Sequence, residues 1–117
     1  MSRFVTGGAV AVLALAACGF AGQASAQSYD RLVVFGDSLS DNGNLYLASG
    51  GTQPPSPPYY QGRFSSGPVF TELLGFNAAN FNGPVTGSIN YAFGGARTDG
   101  SMGPPPGMLT QLGACLL

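Results

Sequence analysis

The sequence has no histidine, no lysine and no tryptophan, and charged residues make up only 8% of its 117 positions. Each gap excludes something. Without histidine, these residues hold neither the usual base for a serine nucleophile nor the imidazole ligands of a zinc site. The only cations are Arg3, Arg31, Arg63 and Arg97, set against five acids for a formal charge of -1. No basic patch exists to neutralise phosphates, so nucleic acid is excluded as a partner. Only two cysteines occur, Cys18 and Cys115. What is plentiful is glycine (19), proline (9) and hydrophobic side chains (44%). That mixture describes one small, loop-rich globular unit rather than a disordered polyelectrolyte.

The first 26 residues read as a secretory signal peptide. Arg3 supplies a positive charge, Ala9 to Ala17 is unbroken apolar sequence, and Ala24-Ser25-Ala26 places small residues where a signal peptidase cuts. The expected product begins at Gln27 and is exported, to the periplasm, the outer membrane or the medium. Leu15-Ala16-Ala17-Cys18 competes as a lipoprotein cleavage site, which would anchor the protein to a membrane through Cys18. Residues 27–117 then retain Cys115 alone, and no intramolecular disulfide is possible.

In that remainder, Arg31 to Phe35 is a short apolar run suited to a buried parallel strand, ended by Gly36. Asp41 to Ser66, with Pro-Pro-Ser-Pro-Pro-Tyr-Tyr at 54–60, reads as a long surface loop. Ser66 to Gly75 reads as a short helix with Ser66 as N-cap, Pro68 in its first turn, Gly75 closing it, and an apolar face of Val69, Phe70, Leu73 and Leu74. Phe76 to Gly87 returns to loop. Ser88 to Phe93 is a second strand, Gly94-Gly95 breaks it, and Met108 to Leu117 begins an apolar helix. The order predicts an α/β fold with about two parallel strands and one to two helices. Two strands cannot form a stable doubly wound sheet, so residues 27–117 are expected to be the N-terminal part of a larger domain, neither stably folded nor active alone.

Polar clusters follow each predicted strand: Gly36-Asp37-Ser38 after the first, Gly94-Gly95-Ala96-Arg97 after the second. Ligand sites of open α/β sheets lie at such carboxyl ends, and glycine lets backbone amides approach a ligand closely. Spacing alone leaves ordinary strand–helix turns as the alternative. Two familiar motifs fail: Gly36 to Ser40 lacks the second glycine of a hydrolase elbow, and a calcium loop centred on Gly43 would begin at Ser38 and end at Ser49 without carboxylates.

Three ordered stretches carry a resemblance. Phe35-Gly36-Asp37-Ser38-Leu39-Ser40-Asp41-Asn42-Gly43-Asn44 resembles the first block of the GDSL (SGNH) esterases and lipases. Gly62-Arg63-Phe64-Ser65-Ser66-Gly67-Pro68-Val69 resembles the segment that follows it in the lipase-type branch. Asn90 to Thr98 is similar to the second block. The resemblance implies a flavodoxin-like three-layer fold and hydrolysis of a small-molecule or lipid ester through an acyl-enzyme. It implies Ser38 as nucleophile and oxyanion amide, Gly95 as a second oxyanion amide with Gly94 as the alternative, Asp37 as a turn-shaping residue, and no metal or organic cofactor. The family's third-block asparagine and its Asp-x-x-His are missing from these 117 residues. Membrane association would then require lipidation at Cys18 or an additional C-terminal module. A non-catalytic binding protein on the same scaffold is the alternative. Tyr59 and Tyr60 line a substrate site or are ordinary loop tyrosines; Arg97 meets a substrate carboxylate or pairs with Asp99 or Asp41.

Overall fold

The structure, a computed structural model, describes residues 28–117. The signal peptide, its cleavage after Ala26 and lipidation at Cys18 lie outside the described residues.

Strand β1 (Val33–Val34) pairs in parallel with β2 (Ile89–Asn90), with Val33 opposite Ile89 and Val34 opposite Asn90. The hydrogen-bonded ladder is longer than either strand core. Ile89 N–H donates to Leu32 C=O (2.9 Å), Tyr91 N–H to Val34 C=O (2.8 Å) and Phe93 N–H to Gly36 C=O (3.1 Å). The two predicted strands are therefore real, and parallel. Ile89 to Phe93 is buried throughout rather than on alternate residues, as expected of a parallel strand covered on both faces. Phe35 stacks on Tyr91 at 5.8 Å between ring centroids, and Phe81 tilts against Phe93 at 5.1 Å. Ala79 adds a one-residue parallel bridge to Ile89 within the segment expected to be only loop.

Two helical segments depart from the sequence reading. Helix α1 (Asn44–Ala48) lies inside the stretch expected to be continuous loop. Five residues are too few for hydrophobic periodicity to register, and the helix begins only because the Asp41 carboxylate collects its first amides. Phe70–Leu74 is a 3-10 turn rather than an α-helix, and Ser66 does not cap it. Its cap is Glu72, whose carboxylate accepts the Val69 N–H at 2.9 Å. The supposed apolar face is only partly buried: Val69 is inside, whereas Phe70, Leu73 and Leu74 are exposed and Thr71 is buried instead. Within the 3-10 turn the one buried residue is Thr71, not either leucine. Helix α2 (Met108–Leu116) occupies the predicted segment.

The middle motif is a clamp. Arg63 grips the Glu72 carboxylate with two guanidinium nitrogens and donates from Nη1 to the Gln61 carbonyl (2.7 Å). Burial works to raise the Glu72 pKa, but the Arg63 and Val69 donors prevail and hold it below the ordinary carboxylate value. Phe64, the next residue, meets Tyr59 at 5.7 Å. The Pro/Tyr loop is thereby tied to the 3-10 turn and laid beside α1.

Candidate active site

The ladder ends at Gly36 and Phe93, so the chain leaves the same edge of the sheet twice. Ser38 lies two residues beyond Gly36, and Gly95 two beyond Phe93. Both sequence-predicted clusters thus emerge side by side, at the carboxyl ends of parallel strands.

The first exit is a turn in which Ser40 N–H donates to the Asp37 carbonyl (3.1 Å) and Leu39 N–H to Asp37 Oδ1 (3.1 Å). Asp37 itself is exposed, and its side chain is spent on the turn. Ser38 is half-buried at the turn's second position. The second exit is also tight, with Ala96 N–H donating to the Phe93 carbonyl (3.0 Å). Gly95 sits at the third position with φ +81°, the left-handed conformation that a type II turn reserves for glycine.

Three side chains that are wholly inaccessible to solvent lock the two exits together: Asp41, Asn44 and Asn90, each at 0% exposure. Asp41 Oδ1 accepts the N–H of Gly43 (2.8 Å) and Asn44 (2.6 Å), and Oδ2 accepts those of Leu45 (3.2 Å) and Gly94 (2.8 Å). Four amides solvate this carboxylate where no counter-ion does, and the positive end of α1 adds to them. Asn44 donates to the Asn90 and Ala92 carbonyls, both at 2.8 Å, and accepts the Phe81 N–H (3.0 Å). Asn90 donates to the Ser40 carbonyl (2.7 Å) and accepts the Ala92 N–H (2.9 Å). The network runs from one exit to the other through backbone groups, so a shift of either turn breaks several bonds at once.

One consequence separates two neighbouring glycines. The Gly94 amide is committed to Asp41, whereas the Gly95 amide has no hydrogen-bond partner among the described residues. Gly94 is needed for a different reason: a Cβ there would lie 2.2 Å from the Phe64 ring. Arg97, exposed two residues beyond Gly95, forms no ion pair among the described residues, and Asp41 is already fully engaged. The Asp99 carboxyl is held below its ordinary pKa chiefly by hydrogen bonds from Ser101. Tyr59 and Tyr60 line an open depression with Tyr46, Ser56 and Gln61, and its lining includes neither Ser38 nor Gly95. Among the described residues no group of three or more acids and cysteines is placed to hold a metal ion.

The sequence reading missed the roles of Asp41, Asn44 and Asn90, although all three stand inside the quoted motifs. It also missed Gln111 of α2, which is buried against Gly36.

Comparison with known proteins accords with this arrangement. The family model of the GDSL-like lipase/acylhydrolases matches residues 32–115. A phosphatidylcholine-sterol acyltransferase of Aeromonas hydrophila is 49% identical over 65 residues, 56% of this chain and 19% of that protein. An acetylesterase of Thermothelomyces thermophilus is 35% identical over 109 residues, 90% of this chain and 35% of that protein. The chain therefore spans about a fifth and about a third of the lengths of these two relatives. With a match over most of its length, and both motif-bearing turns at one sheet edge, this chain belongs to the GDSL-like lipase/acylhydrolase family.

Proposed function

We propose that these residues supply the nucleophile and two oxyanion donors of an exported serine ester hydrolase. The observation that carries the reading is the pair of turns at one sheet edge, with the Gly94 amide occupied by Asp41 and the Gly95 amide unoccupied. Ser38 Oγ attacks the acyl carbon of a small-molecule or lipid ester and passes its proton to a base. The carbonyl oxygen, now an anion, accepts hydrogen bonds from the Ser38 and Gly95 amides. Collapse expels the alcohol, which takes up the proton, and leaves an acyl group on Ser38. Water, deprotonated by the same base, then releases the acid.

The base is not in this chain, which has no histidine. Both relatives are several times longer than the stretch they share with it. The base and a third oxyanion donor belong, on this proposal, to further sequence of the same protein, and the 117 residues alone do not turn over esters. Export follows from the signal peptide, with the mature chain starting at Gln27. N-terminal analysis of the processed protein tests this part; a lipid-modified Cys18 at the start would establish membrane anchoring instead.

The decisive experiment is labelling by a fluorophosphonate ester in the protein expressed from its complete gene. The label is expected on Ser38 and absent from Ser38→Ala, with ester turnover falling by several orders of magnitude. Labelling of another serine overturns the assignment. A folded protein that neither labels nor hydrolyses esters is a binding scaffold.

A further inference from the structure

Helix α2 is apolar and carries one buried polar side chain. Gln111 is 2% exposed, and burial of a carboxamide is costly unless every donor and acceptor finds a partner. Here they do. Oε1 accepts the Gly36 N–H at 2.9 Å, while Nε2 donates to the Gly36 carbonyl at 2.9 Å and the Pro106 carbonyl at 3.1 Å. One side chain reads both the N–H and the C=O of one glycine, as a neighbouring strand would. Gly36 is where the β1 ladder stops, and the turn that carries Ser38 begins at the next residue. The helix is fixed in turn to the segment after the second exit: Met108 N–H donates to the Arg97 carbonyl (2.7 Å) and Leu109 N–H to the Asp99 carbonyl (3.2 Å).

We infer that Gln111 is a positioning residue for Ser38, holding both peptide planes of Gly36 and so setting the direction in which the nucleophile turn leaves the sheet. The inference rests on the hydrolase reading above. It explains why a glutamine occupies the inner face of an apolar helix, where leucine would pack with no polar atoms to satisfy. Glutamate would not serve at neutral pH, because a carboxylate lacks the donor and sets an anion against the Gly36 carbonyl.

The test uses the protein expressed from its complete gene, with Gln111→Met and Gln111→Glu, assayed well below the Tm of each. The rate of fluorophosphonate labelling at Ser38 is measured together with kcat and KM on a p-nitrophenyl ester. Gln111→Met should lower the labelling rate and kcat by roughly tenfold or more with KM little changed, as expected when a reacting atom is misplaced. Gln111→Glu should lose as much near about pH 8 and recover toward wild type as pH falls through the carboxyl's pKa, which burial at this position raises above the ordinary glutamate value, because the protonated form regains a donor. Taking the ratio to wild type at each pH removes the titration of the catalytic base. If Gln111→Met fails to fold, Gln111→Glu, similar in size, carries the test through its pH ratio. Lower Tm with wild-type rates, or a ratio flat across pH, overturns the inference and leaves Gln111 as core filling. Wild-type protein that does not label at Ser38 overturns the hydrolase reading and this one with it.

Discussion

Two regions of this small fold are held in opposite ways. At the sheet edge that bears Ser38 and Gly95, the buried groups are polar and nearly all are paired: Asp41, Asn44 and Asn90 hold nine hydrogen bonds between them. Around Phe70–Leu74 and the outer side of α2, the surface is apolar and uncovered. Phe70, Leu73, Leu74, Leu109, Leu112 and Leu116 are all exposed, and the buried Thr71 hydroxyl has no partner among the described residues. The contrast teaches that a motif-bearing turn can be specified by close, directional bonds among a few residues. Apolar faces, in comparison, need area, and no described residue supplies it here.

That contrast can be broken most forcefully at Asp41. Asp41→Leu leaves four amides without their acceptor, and at about 1–3 kcal/mol for each group that stays unsatisfied the fold should be lost or nearly so. Urea unfolding of the complete protein measures it, and a shift under about 1 kcal/mol would show that the network is ornamental. Asn44→Ala removes three bonds from the same cluster and should cost about 2–4 kcal/mol on the same measurement.

Gly94→Ala should come next, at about 1–3 kcal/mol, because the new methyl forces the Phe64 ring aside. A crystal structure of the variant should show Phe64 displaced with the Asp41–Gly94 bond intact. The Arg63–Glu72 clamp, partly exposed, should contribute about 1 kcal/mol or less. Since Glu72 is held below its ordinary value of 4.5 when folded, its contribution is complete above that value and lost as pH falls through the lower folded value. Acid titration of Tm in wild type and Glu72→Gln should therefore converge at low pH. The smallest effect belongs to the other region: Leu73→Ser should leave stability within about 0.5 kcal/mol while reducing self-association seen by light scattering.

Parts of this were legible in the residues and parts were not. The paired stretches were, because a nearly continuous apolar run over Arg31 to Phe35 and an alternating Ile, Tyr and Phe pattern over Ser88 to Phe93, each ended by glycine, admit few other readings. Helix α1 was not, since its start is written in a side chain three positions upstream rather than in its own five residues. The leucines of Phe70–Leu74 were misread because periodicity reports an apolar face without saying what covers it. At the candidate site, the motifs named the turns but not the reason for their letters. Asp41 and Asn90 stand within the motifs as ordinary polar residues until the fold brings Ser40 and Gly94 against them. Gln111 could not be found at all, for nothing within reach of Met108–Leu116 in sequence points to Gly36.

That distance, 75 positions along the chain, also sets an order of events. The sheet edge, α1 and the three buried polar residues are complete once residue 94 has left the ribosome. The root of the Ser38 turn waits for α2, emerging later in synthesis, to deliver Gln111. Contacts so far apart in sequence form late because loop closure must come first. The turn is therefore built early and anchored late, and a nascent chain halted between residue 94 and α2 would display it without Gln111.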